Sequence, residues 1–205
     1  MSLVQTGLKG LGHDPGPADG LWGPKTASAL QSLLAAAGKP VTAPVKPAQT
    51  RPGAMIHQGS AGHPVREIIV HCSATRPEWM KDRSLAEKRA EIRRWHVEGN
   101  GWKNIGYHWL IDRDGSVTAG RGEHEIGSHV SGHNAGTIGI CLIGGHGSAE
   151  GDLFARHFTK AQDLALRQLI AAISGRTGIT KISGHNQYAA KACPGFNVPK
   201  WLKEA

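Results

Sequence analysis

Hydrophobic and polar positions divide the chain into two patterned stretches with a proline-rich one between them. Near the N-terminus, Leu3, Val4, Leu8 and Leu11 recur at helical spacing, and the segment HDPGPADGLWGPKT that follows is dense in turn residues. The Ala- and Leu-rich run TASALQSLLAAAG then resumes a helix that Gly38 closes. Residues 1–38 therefore read as a helical module too small to bury much core by itself. Pro40, Pro44, Pro47 and Pro52, set among Ala, Thr and Gly, mark residues 39–62 as an extended, semi-rigid linker.

From residue 63 to 205 the period alternates between strand and helix. VREIIVH is a strand ending at His71, and SLAEKRAEIRRWHVEG is a helix with Ser84 and Glu87 as a capping box and an apolar face of Leu85, Ile92 and Trp95. GYHWLIDRDGSVTAGR reads as a hairpin turning at Asp114-Gly115, and the unbroken apolar run TIGICLIGG as a central strand. FTKAQDLALRQLIAAISGRTG predicts a helix capped by Thr159 and Gln162, with Leu164, Leu166, Leu169, Ile170 and Ile173 toward the core. ITKISGH is a short strand, and NVPKWLKEA is a closing helix with Asn197 as cap and a proline in its first turn. The expected fold is α/β, a single mixed central sheet flanked by helices and preceded by the small helical module.

Composition narrows the classes. At 205 residues, 39% hydrophobic and 20% charged, the chain has the makeup of one globular domain with a small attachment. No stretch approaches the ~18–20 apolar residues needed to span a bilayer, so no membrane insertion is expected. The segment MSLVQTGLKGLGHDPG carries glycines and charges where a signal peptide would be apolar. Synthesis in the cytoplasm without an export signal is therefore expected. Three cysteines make a disulfide framework unexpected, and Cys141 reads as a small buried hydrophobe. The net charge of +8 suits a polyanion, whether nucleic acid, an anionic membrane surface or a wall polymer. No Lys/Arg block exceeds two residues and no nucleic-acid-binding signature is present, so no nucleic-acid partner is expected. Nothing in the sequence points beyond a monomer.

Candidate chemistry concentrates in GHNQYAAKACPGF, residues 184–196, which gathers His185, Lys191 and Cys193. With His71, these supply two imidazoles and a thiolate. Such a set forms a zinc site with an open fourth position, where a water can be ionised to attack a carbonyl. Spacing alone leaves the site open: His185 and Cys193 are eight positions apart and His71 lies more than a hundred away, which matches no short zinc motif. Cys72 follows His71 on the strand and must face the other side, so His71 is the preferred ligand. An alternative remains in which Cys193 is a nucleophile and His185 its base.

Taken together and in order, IIVHCSATRP, EIRRWH, GYHWLIDRDGSVTAGR, GSHVSGHN, TIGICLIGG and KACPGF resemble the zinc-dependent N-acetylmuramoyl-L-alanine amidases of the phage-lysozyme type. The superfamily also contains the peptidoglycan-recognition proteins. The resemblance implies zinc ligands at His71, His185 and Cys193, catalytic support from Tyr107 and Lys191, and His129 lining the substrate cleft. It implies hydrolysis of the amide between N-acetylmuramic acid and L-alanine in peptidoglycan, the activity of an endolysin acting on the bacterial wall. The N-terminal LGHDPGPADGLWGPKTASAL resembles a peptidoglycan-binding repeat through Asp19, Gly20, Trp22, Gly23 and Thr26. Alternatives are a non-catalytic wall-recognition protein, and an amidase that also inhibits an RNA polymerase. PEWMKDRSLAEKRA, after His71, is longer than in compact phage enzymes and is expected to reshape one wall of the cleft.

Overall fold

The computed structural model describes residues 2–17, 25–26, 29, 32 and 55–204. Most of the second half of the N-terminal module, including the pattern Asp19 to Gly23, and residues 39–54 of the linker lie outside the described residues. The chain divides into two compact units, residues 1–46 and 47–205. In the first, helix α1 (Ser2–Gly10) buries Leu8. Its Gln5 amide donates to the Thr26 hydroxyl at 3.2 Å, and that hydroxyl donates to the Pro15 carbonyl at 3.0 Å. Leu11 lies beyond the helix and is exposed.

The second unit begins with a short hairpin, β1 (His57–Gln58) and β2 (His63–Pro64). Residues 55–62, grouped with the linker by composition, are thus folded onto this unit: Ile56 joins its core, and buried Gln58 donates to the Thr137 carbonyl at 2.9 Å. The central strands are β3 (Glu67–Cys72), β4 (Trp109–Ile111), β5 (Val117–Ala119), β6 (Thr137–Leu142) and β7 (Lys181–Gly184). Their spatial order is β5-β4-β6-β3-β7, with β5 antiparallel to β4 and the other pairs parallel. The mixed sheet expected from the alternating pattern is therefore present, with the apolar run of β6 at its centre. The turn between β4 and β5 needs Gly115, whose φ of +85° an L side chain would strain.

Period-two alternation assigns each strand's side chains to two cores. On one face, Ile68, Val70, Ile138, Ile140 and Leu142 pack against α3 (Phe154–His157), α4 (Lys160–Ser174) and α5 (Val198–Lys203). On the other, Leu110 and Cys141 meet Ile92 of α2 (Leu85–Arg94). Both predicted capping boxes form, Ser84 with Glu87 and Thr159 with Gln162, and Asn197 caps α5. Leu164 departs from expectation: it is 42% exposed. The buried stripe of α4 runs through Gln162, Ala165, Leu166, Leu169, Ile170 and Ile173, and position 164 falls off it at 100° per residue. After α2 the chain continues in a π-helical turn, Trp95–Gly99, that no sequence signal announced.

Candidate metal centre and cleft

Sheet register builds the site. β3 and β7 are parallel neighbours paired at Val70 and Gly184, so the next residues, His71 (still in β3, opposite Cys141) and His185 (just past β7), stand side by side at the carboxyl edge of the sheet. Their ring centroids are 4.8 Å apart. The Asn186 N–H donates to the Cys193 carbonyl at 2.7 Å, folding the loop back so that Cys193 returns to the strand ends. There its Sγ accepts from the Cys72 N–H at 3.3 Å and lies 3.8 Å from His71 Nδ1.

The ligand atoms of His71, His185 and Cys193 all lie within 4.8 Å of one another. Bonds of ~2.0–2.1 Å to nitrogen and ~2.3 Å to sulfur around a tetrahedral zinc place neighbouring ligand atoms about 3.3–3.6 Å apart. The observed set needs only a small contraction to reach that spacing, and its two nitrogens and one sulfur are donors zinc favours. The residues therefore fit a zinc ion with one position left open. Cys72, whose side chain leaves β3 on the face opposite His71, meets Cys193 through its backbone N–H and its thiol and is not one of the three converging ligands.

The electrostatics prepare the same chemistry. His71 is fully buried, and burial, with the neighbouring His129 and His185, holds its pKa well below the ordinary imidazole value. Burial lowers His185 in the same direction, and the charge of exposed Lys191 adds to the effect on both. Both rings are thus neutral at pH 7, the form in which an imidazole can hold a metal. A hydrogen bond with the Cys72 thiol, and then burial, push the Cys193 thiol well up, so it keeps its proton until a cation binds. A cysteine nucleophile needs the reverse shift, so the alternative with Cys193 attacking directly gains no support.

Tyr107 packs between two imidazoles, its ring 5.2 Å from His71 and 5.2 Å from His96. Burial, followed by the nearby cysteines, raises its hydroxyl pKa well above 10, leaving a hydrogen-bond donor at every physiological pH. His96 accepts from the Gly106 N–H at 3.0 Å and so ties the residue before Tyr107 to the π-helical turn. Lys191 stands in the exposed part of the same loop as Cys193. His129 is buried beside the cluster, its Nδ1 3.1 Å from His71 Nε2. Thr137, which bonds His129, was invisible in the sequence because it reads as the first residue of an apolar strand.

The Amidase_2 family, described as N-acetylmuramoyl-L-alanine amidase, matches residues 61–196. The chain belongs to this amidase family. The endolysin of Escherichia phage T7 is 41% identical over 137 residues, covering 67% of this amidase and 85% of the phage protein. Peptidoglycan-recognition protein SC2 of Drosophila melanogaster is 33% identical, over 52% of this chain and 56% of that one. Among solved structures, the N-acetylmuramoyl-L-alanine amidase LysC from Clostridium intestinale superposes with a TM-score of 0.53 at 27% identity, covering 68% of this amidase and 80% of LysC. The amidase match contains every candidate site residue and stops short of the N-terminal module. Among the described residues, no helix is long and apolar enough to cross a membrane.

Proposed function

We propose that this peptidoglycan amidase is a zinc-dependent endolysin that cleaves the lactyl amide between N-acetylmuramic acid and L-alanine, with His71, His185 and Cys193 holding the metal. The convergence of those three ligand atoms carries the proposal. Zinc bound there would supply a Lewis acid for the scissile carbonyl and an activated water to attack it. The protein's own groups do the rest. Tyr107 keeps its proton and, next to His71, can donate to the carbonyl oxygen as negative charge develops on it. The Lys191 ammonium, near both imidazoles, stabilises the same charge and can hand a proton to the departing amine of L-alanine. His71 and His185, neutral and held by strand ends, do not compete for that proton.

The N-terminal module, by its resemblance to a peptidoglycan-binding repeat, is assigned to holding the enzyme on the wall, and the net charge of +8 favours an anionic wall polymer. The deciding experiment is mass spectrometry of purified peptidoglycan after digestion, with and without a zinc chelator. Free stem peptides beginning at L-alanine, lost on chelation and restored by zinc, are expected. Intact glycan–peptide links in both samples, with the protein pelleting on the wall, would replace the enzyme with a recognition protein.

A further inference from the structure

Behind His71, on the side away from Cys193, three buried polar side chains form a directed chain. His71 Nε2 is 3.1 Å from His129 Nδ1, and His129 Nε2 is 3.3 Å from the Thr137 hydroxyl. That hydroxyl in turn donates to the carbonyls of His133 at 2.9 Å and Asn134 at 3.0 Å. A carbonyl only accepts, so the direction of every bond follows. The one proton of Thr137 is spent on the carbonyls, so its oxygen accepts from His129 Nε2–H. A neutral His129 protonated at Nε2 has its lone pair at Nδ1, and that atom accepts from His71 Nε2–H. The lone pair of His71 is then left at Nδ1, the nitrogen that faces Cys193.

We infer that His129 is a positioning residue: with Thr137 it selects the Nε2–H tautomer of His71, so that Nδ1 is presented to the metal. The inference rests on the zinc reading of the His71, His185 and Cys193 cluster. A ligating histidine whose other nitrogen is held in this way is fixed in tautomer and ring orientation.

The surrounding residues are shaped to seat the His129 ring. A β-carbon at Gly139 of β6 would stand 2.7 Å from its Cγ and Cδ2, and one at Gly127 would stand 2.5 Å from its Cδ2. Neither position admits a side chain unless the ring moves. The loop is pinned from outside by the Asn134 side chain, whose Oδ1 accepts from the N–H groups of His129 at 2.7 Å and Val130 at 2.9 Å. The planes of the two rings are nearly perpendicular, at 83°, with His71 Nε2 and His129 Nδ1 their meeting atoms at 3.1 Å. His108, nearly perpendicular to His129 at 5.6 Å between ring centroids, has its nitrogens committed to the Gly139 N–H at 3.0 Å and the Glu125 carbonyl at 3.0 Å, and offers His129 no rival bond. Buried in this way, His129 has its polar atoms turned toward His71 and Thr137 rather than toward a substrate.

The test uses the full chain, its metal-free form and three variants. Long-range proton–nitrogen NMR of the imidazoles in the metal-free wild type is expected to show His71 protonated at Nε2. His129→Leu and Thr137→Val are expected to mix the tautomers and to weaken zinc binding, measured by chelator competition, roughly 10–100-fold for the first. His129→Asn, whose Oδ1 stands near the position of Nδ1, is expected to recover most of that affinity. KM for a soluble muropeptide at saturating zinc should stay within about twofold throughout, since positioning does not contact substrate. Melting curves identify any variant that fails to fold, and Thr137→Val, nearly isosteric, keeps the test decisive. A wild-type His71 protonated at Nδ1, unchanged zinc affinity in folded His129→Leu and Thr137→Val, or a rise in KM with affinity intact would each overturn the assignment. A wild type that binds no zinc removes the metal reading instead, while the NMR tautomer still decides the positioning role.

Discussion

The buried pair Lys88–Asp112 gives the sharpest prediction about what holds the cleft together. Lys88 of α2 donates to both carboxylate oxygens of Asp112, at 2.9 and 2.7 Å, just beyond the end of β4. The side chains are 6% and 7% exposed, so neither charge is appreciably hydrated. Lys88→Met strands a carboxylate in that environment, which costs about 3–5 kcal/mol. For a unit of this size each kcal/mol shifts the melting temperature by ~2–4 °C, so a drop of roughly 6–20 °C is expected. The pair also clamps the helix whose π-helical continuation carries His96 against Tyr107, so amide hydrogen exchange should rise through residues 85–99. The double variant Lys88→Met/Asp112→Leu removes both charges and should recover at least about half of the loss, because apolar replacement of a buried pair is often neutral. It will not recover all of it, since Asp112 Oδ1 also accepts from the Arg113 N–H at 2.8 Å. The assay is urea and thermal unfolding of the metal-free protein. A single variant melting within about 2 °C of wild type would refute the reasoning, as would a double variant no better than the single, which would point to lost packing instead.

Three further outcomes follow. Cys193→Ser should lose zinc and wall hydrolysis together, read by metal analysis and release of dye-labelled sacculi; a metal-free variant with full activity would sink the ligand assignment. In the metal-free protein, His71, His129, His108, His185 and His96 all have folded pKa values below the ordinary 6.5, mainly through burial, with His96 at about 4. As pH falls below ~6.5 the unfolded chain binds protons that the native state refuses, so stability is fully present above that pH and declines below it, with His96 contributing down to about 4. Melting temperature should therefore drop steadily between about pH 7 and 5, and a flat profile would contradict the neutral burial of these rings. Finally, a β-carbon at Gly106 would collide with the Ser128 carbonyl and stand 2.9 Å from Trp102, displacing Tyr107 next door. Gly106→Ala should lower kcat roughly 10–100-fold with zinc content unchanged, and kcat equal to wild type would remove Tyr107 from the reaction.

Much of this molecule is written in short-range patterns. The capping boxes at Ser84 and Thr159, the Asn197 cap, the Asp114-Gly115 turn and the apolar run of β6 all depend on residues within a few positions of one another. Helix and strand periods act on that same scale, so the alternating α/β layout was legible and the structure carries it. Single side chains near an element's edge were less so. Leu164 matches a helical window, yet only the packing of α4 on the sheet sets which stripe is covered. The linker composition extended through residue 62, yet Ile56 and Gln58 find partners in a core assembled from distant segments.

The candidate ligands were legible as residue types, and the ordered motifs around them carried the family. Their meeting was not legible. His71 and Cys193 are 122 positions apart, and nothing local specifies that they meet. The parallel register that sets Val70 against Gly184 does so, because it fixes which residues stand side by side at the sheet's carboxyl edge, where the returning loop closes. The contacts of His129 belong wholly to this second class. Its sequence neighbours say that it lies in a glycine-containing loop, whereas its two polar partners stand on β3 and β6, 58 and 8 positions away. Which nitrogen of His71 is free for a metal is therefore decided by tertiary structure alone, since a tautomer responds to the acceptor behind the ring and only the folded sheet brings that acceptor there.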